Sequence, residues 1–302
     1  HEIVGLRIYL ALWVAVGHGL QLSGFRAGSN PLLNMLLNGH AAVVVFMIVS
    51  GFVITNLLLA KQESYPRYIV RRFFRLYPAY VVCCVAGYFL ADDWLAIVRQ
   101  VPWQDAPGWH DYSVMIGELD SERTVNFWPH FGLHATMLHG AVPDQLLNRA
   151  AMTFLPAAWS ISLEWQFYLI APLVVVAMGN RWRLVALAIA ALALHMAYRR
   201  GWLGTYDIAS SLAEATPYFA VGIASRLAFG VLSALRPHPL PVSAVVLYAA
   251  VVLVEDALPF ALWAVFYCYL LWHRNDQVLG PAFRLLTTSR LAVVLGEASY
   301  SL

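Results

Sequence analysis

Runs of apolar residues about as long as a bilayer is thick recur along this chain, separated by short polar or charged connections. They fall at about 3–22, 41–60, 76–90, 159–178, 183–198, 210–229, 241–254 and 258–272, with a weaker run at 126–140 and another starting near 291. A helix rising about 1.5 Å per residue needs roughly 20 residues to cross the hydrocarbon core. The pattern therefore predicts an all-α fold, a polytopic transmembrane helical bundle of about ten helices, the last one truncated at Leu302. Several runs are shorter than a full span, and Pro217 interrupts one of them.

The polar connections suggest an orientation. Lys61, Arg67, Arg71, Arg72 and Arg75 follow the second run with only Glu63 opposing them, which by the positive-inside rule makes this segment, and with it the N-terminus, cytoplasmic. The longest polar segment, about 91–125, carries Asp92, Asp93, Asp105, Asp111, Glu118, Asp120 and Glu122 and is expected as an exterior loop. Beyond it the assignment depends on 126–140. The pairs Arg181/Arg183 and Arg226/Arg236 and the trio Arg274/Arg284/Arg290 fall outside if that run spans, and inside if it is re-entrant. No fixed-period repeat or low-complexity linker divides the chain, so residues 1–302 read as one integral-membrane domain with no appended soluble domain and no cleavable signal.

Composition strengthens this reading. The chain is 61% hydrophobic and 12% charged with a mean hydropathy of +0.65, against about 45–50% and 25% in soluble domains. Net charge is only +2, and the basic residues cluster beside apolar runs as they do at a membrane surface, which argues against nucleic acid as a partner. Cys83, Cys84 and Cys268 lie inside apolar runs with no C-x-x-C pair, so they read as small core residues rather than a disulfide framework or thiolate zinc site.

Three clusters carry candidate chemistry. In the first run, Arg7 and His18 are eleven residues apart, about three turns, which sets them within roughly 20° on one helix face and about 16 Å apart. An arginine inside a span needs a partner, a cavity or an interface to snorkel to. A histidine there can be a satisfied core residue, or it can take and return a proton near neutral pH. The second cluster is R-Y-I-V-R-R-F-F-R-L-Y-P, in which Arg71, Arg72 and Arg75 offer guanidinium forks suited either to the phosphates of an anionic cytosolic donor or to anionic lipid headgroups. The third is A-W-S-I-S-L-E-W-Q-F-Y-L, where Glu164 and Gln166 open an apolar helix beside Ser160 and Ser162. An intramembrane carboxylate is a functional candidate by default, and Glu164 either orients His18 or an incoming hydroxyl, or pairs with an arginine. His130, His134 and His139 invite a metal reading, but only the first two share a face at i,i+4 and no H-E-x-x-H carboxylate accompanies them, so no metal is expected.

Taken in order, Arg7 with His18, F-M-I-V-S-G-F at 46–52, R-R-F-F-R-L-Y-P at 71–78, W-S-I-S-L-E at 159–164 followed by F-Y-L, and L-G-E-A-S-Y-S-L at 295–302 resemble acyltransferase family 3. The resemblance covers the whole chain. It implies about ten helices, an acyl-CoA donor used from the cytoplasmic side, and transfer to a hydroxyl, often on an extracytoplasmic carbohydrate. It also implies that Arg7 and His18 form an essential pair and that Arg72 with Arg75 forms an R-x-x-R motif. Glu164-Trp165 departs from the family's frequent Glu-Glu pair.

The expected function is an integral-membrane O-acyltransferase, with acetyl the leading acyl group, in the bacterial cytoplasmic (inner) membrane. Acetyl-CoA or another acyl-CoA is the donor substrate and a carbohydrate or glycolipid the acceptor, with membrane lipids as the surroundings. Catalytic roles fall to His18, Arg7 and Glu164, and donor binding to Arg71, Arg72 and Arg75. A rival reading is a transporter or flippase for a lipid-linked sugar with Arg7, His18 and Glu164 as its polar path, though the inverted repeats that would support it are not visible in the sequence.

Overall fold

The computed structural model describes residues 2–61, 63–235, 257–273 and 279–298. Among these the chain is helical with no strand, as the apolar pattern predicts. In chain order the α-helices are α1 Glu2–Leu22, α2 Pro31–Leu37, α3 Gly39–Ala60, α4 Tyr65–Phe89, α5 Ala91–Val98, α6 Trp109–Val125, α7 Phe127–Ala135, α8 Trp159–Met178, α9 Arg181–Arg199, α10 Leu212–Ala234, α11 Leu258–Cys268, α12 Leu279–Thr288 and α13 Arg290–Ala298. The expected span at 241–254, residues Arg236 and Arg274, and the final Ser299–Leu302 lie outside the described residues.

Five of these segments are long and apolar enough to cross a membrane: Glu2–Leu22, Gly39–Ala60, Pro156–Met178, Arg181–Arg199 and Leu212–Ala234. The pair α4 and α5 makes a sixth if its 57° bend belongs to one span. The remaining expected runs form shorter helices. Region 126–140 is the nine-residue α7 followed by a 3₁₀ turn at His139–Ala141, only about 14 Å of α-helix, so α7 does not cross by itself. The segment expected as a loop at 91–125 is largely helical, as α5 and α6. Apart from Asp105, its acidic residues sit on these two helices, where polarity masks the helical period.

The described residues pack as two compact units. One comprises residues up to 57 with those from 218 onward, and the other comprises 58–217. In the first, α3 is apolar all round and buried along most of its length, as expected of a helix enclosed by others. Glycines bring its backbone against α10: a Cβ on Gly222 would lie 2.0 Å from the Ile48 carbonyl oxygen, and one on Gly51 would lie 2.5 Å from that of Phe219. Small residues allow this approach where lipid gives no hydrophobic drive to helix pairing. Helix α1 does the same against its own neighbours, with Gly5 at the Thr287 backbone of α12 and Gly296 of α13 at the Val4 backbone.

In the second unit α4 packs on α8, α8 on α9, and α5 to α7 follow in sequence. Helix α9 has no buried residue; Val185, Ile189 and Leu192 are more than 45% exposed, a face that suits lipid rather than water. The buried residues of α4 are Tyr68, Arg72, Leu76, Tyr80 and Cys84, a strict four-residue spacing that lays one polar and aromatic stripe against the interior.

Candidate active site

Arg7 and His18 sit on one unbroken helix, as their spacing predicts, but in different surroundings. Arg7 is 3% exposed, and its guanidinium lies 5.6 Å from the centroid of the Phe46 ring on α3, within the range of a cation–π contact. His18 is exposed. Its imidazole lies beside the first residue of α3, where a Cβ added to Gly39 would come 3.9 Å from Nε2. The buried end of α1 therefore carries a fixed positive charge, and its open end carries an exposed imidazole.

In the other unit the arginine cluster divides by helix face. Arg71 and Arg75 are exposed, and Arg71 forms an ion pair with Glu63. Arg72 turns inward, 7% exposed, with its guanidinium 5.9 Å from the Tyr68 ring centroid and 5.8 Å from that of Tyr168 on α8. Tyr168 donates a hydrogen bond to Glu164. Tyr168 thus touches both Arg72, across its ring, and Glu164, through its hydroxyl. Tyr68 and Tyr168 were not anticipated; the signal for Tyr68 is its place four residues before Arg72 on the buried stripe of α4.

A second polar group was anticipated only as an unfavoured metal candidate. The rings of His134 and His139 stack with centroids 4.0 Å apart, and the Tyr80 hydroxyl lies 3.0 Å from His134 Nδ1 and 3.3 Å from His139 Nδ1. Tyr80 also donates to the His134 carbonyl at 2.9 Å, and His139 Nε2 donates to the Ala158 carbonyl at 3.2 Å. Burial pushes the His139 imidazole down to about 4, and burial with the neighbouring histidines holds His134 well below its ordinary value. Both are neutral at physiological pH. His130, by contrast, faces Glu122 at 3.3 Å. Burial tends to raise the Glu122 carboxyl, but hydrogen bonds from Asn126, His130 and Asn148 outweigh it and leave the group below its usual range.

Beside these rings, Ser162, Gln166 and Ser210 fix the His139–Ala141 turn. The Gly140 amide donates to Ser162 Oγ at 2.9 Å, Ser210 Oγ donates to the Gly140 carbonyl at 2.9 Å, and Gln166 Nε2 donates to the Ser210 carbonyl at 3.0 Å. Gln166, noted in the sequence only as a polar companion of Glu164, is thus a structural tie.

An acyltransferase-domain family model, that of family 3, matches residues 1–302, the entire chain. The chain belongs to acyltransferase family 3. No curated protein and no solved structure matches it. This family 3 acyltransferase is an integral membrane protein by its long apolar helices and an enzyme by its family. Every segment that carried the resemblance lies within the matched range.

Proposed function

We propose that this family 3 acyltransferase is an O-acyltransferase, with acetyl the leading acyl group, of the bacterial cytoplasmic membrane. It moves the acyl group of cytosolic acyl-CoA to a hydroxyl of an exported or cell-surface carbohydrate or glycolipid, its N-terminus lying in the cytoplasm. The observation that carries this reading is the exposed His18 imidazole on the same unbroken helix as the buried Arg7. The His18 imidazole takes the proton of the acceptor hydroxyl as its oxygen attacks the thioester carbonyl carbon. The carbon–sulfur bond then breaks, and the departing thiolate takes the proton from the imidazolium, giving the ester and free coenzyme A.

The rise of about 16 Å along α1 between the two residues separates their roles. Arg7 therefore positions the donor rather than polarising the carbonyl that His18 serves. The exposed Arg71 and Arg75 suit the donor's phosphates. Arg72 and Glu164, enclosed with Tyr68 and Tyr168, hold α4 against α8 and position their exposed neighbours. In lipid nanodiscs with labelled acetyl-CoA and a carbohydrate acceptor, His18→Ala is expected to lose product formation by at least about 100-fold, the usual span for a general base, while its melting transition is kept. Full turnover in the folded variant would remove His18 from the chemistry.

A further inference from the structure

Helix α2 ends at Leu37 and α3 starts at Gly39, so Asn38 alone makes the corner between them. The last carbonyls of a helix have no partner within it, and beside a membrane span they need one. Helix α1 supplies two. The Trp13 indole N–H donates to the Leu36 carbonyl at 2.7 Å, and Gln21 Nε2 donates to that of Leu37 at 3.2 Å. Between these donors Gly17 lets the corner come close, since a Cβ there would lie 3.4 Å from the Leu36 oxygen. Trp13, Gly17 and Gln21 follow one another at four-residue spacing, so the corner is fastened along one stripe of α1.

His18 adjoins this stripe. Asn38 Oδ1 accepts from the Ala41 amide at 3.1 Å, and this turn sets Gly39 against α1. A Cβ on Gly39 would lie 3.7 Å from the Val14 Cα and 3.9 Å from His18 Nε2. The first residue of α3 thus walls one side of the imidazole, while His18 as a whole is exposed. Of the two donors that hold this wall, Trp13 makes the shorter bond from a half-buried ring, whereas Gln21 is exposed. We propose that Trp13 is a positioning residue for acyl transfer, an assignment that rests on the reading of His18 as the base. Through the Leu36 carbonyl it keeps the α2–α3 corner against the imidazole, and so fixes the direction in which Nε2 meets the acceptor hydroxyl.

Trp13→Phe keeps an aromatic ring and removes the donor. In nanodiscs its turnover at saturating acetyl-CoA is expected to fall at least about tenfold with the KM for acetyl-CoA unchanged, since an ångström of misplacement can cost about a hundredfold. The placement of the ring is read separately from the chemistry, by the rate at which diethyl pyrocarbonate carbethoxylates His18, followed on its peptide. Loss of one hydrogen bond frees the corner, so this rate is expected to rise about fivefold. A purely structural Trp13 would lower the melting transition and leave the turnover of the folded enzyme and the carbethoxylation rate as they were, and either of these unchanged overturns the proposal. If Trp13→Phe does not fold, Gly39→Ala decides it, because the added methyl meets its neighbours only at ordinary contact distances. That methyl, set against Nε2, is expected to slow carbethoxylation at least about twofold by shielding one of the two ring nitrogens, and an unchanged rate overturns the proposal. Full turnover in His18→Ala would instead remove the reading of His18 as the base, while the carbethoxylation rates would still tell whether Trp13 and the corner hold the ring.

Discussion

The two units solve the burial problem in opposite ways. Around α3 the interior is held by backbone contact: glycines at 5, 51, 222 and 296 let helices touch where any side chain would clash, and Phe52, Trp263 and Tyr267 fill the remaining space with ring centroids 5.7–6.3 Å apart. Around α8 the interior is held by polar side chains, His130, His134, His139, Ser162, Gln166 and Ser210, nearly all tied to backbone or to one another. The first interior is limited by volume. The second tolerates no loss of a partner and responds to pH. Stability measurements can therefore separate them.

The largest effect is expected at Gly222. A leucine there would drive its Cβ into the Ile48 carbonyl and the Phe52 amide of α3, at 2.0 and 2.8 Å, both of them backbone atoms that cannot rotate aside. Overpacking typically costs about 1–3 kcal/mol, and a clash with backbone sits at or above the upper end. Gly222→Leu should thus lower the unfolding free energy of the purified protein, measured by SDS titration, by about 3 kcal/mol or more. A change under about 1 kcal/mol would mean that the helices do not pack through this glycine.

Acid should act on the other interior. His139 lies in the turn between α7 and α8, and its folded value of about 4 lies below the ordinary 6.5, so the unfolded chain binds the proton first. Its neutral, buried form contributes fully above about pH 6.5, and that contribution is lost as pH falls toward 4. The gap corresponds to about 3 kcal/mol, with His130 and His134 acting in the same direction. Glu122, held below its usual range, adds a further loss at still lower pH. Unfolding free energies measured from pH 7 to pH 4 are expected to fall along this window. A flat profile would show that the histidines are not enclosed as neutral rings.

How much of this was legible in the sequence follows from the range of the interactions. Spans α1, α3, α8 and α9 end within about two residues of their apolar runs, because a helix that crosses the bilayer must be apolar along most of its length. Helix α4 starts well before its apolar run, at Tyr65 rather than about 76, since its first turns carry the arginines. Arg7 and His18 stood out as polar residues in an apolar stretch. Their different burial did not, because it depends on α3, α12 and α13, which reach α1 from distant parts of the chain. The Tyr80 hydroxyl meets partners 54 and 59 residues away, a pairing that no local spacing announces, so the histidines could be weighed only as metal ligands. The inward turn of Arg72 was in principle visible in the four-residue repeat from Tyr68 to Cys84.

The smallest effect sharpens the comparison most, because it tests whether glycine matters in α10 for contact or for flexibility. Gly230 lies eight residues after Gly222 in the same helix, about 80° around it, and a Cβ added there meets nothing within 4 Å. Its backbone is helical, so alanine fits without strain and restricts the unfolded chain. Gly230→Ala should raise the unfolding free energy by about 0.5–1 kcal/mol, the helical preference of alanine over glycine. Gly222→Ala gains the same preference but must push the α3 backbone away, so its net effect should be a loss. If both alanine variants gained stability, α10 would not be held by close backbone approach, and the contrast between a volume-limited and a proton-limited interior would fail at its first member.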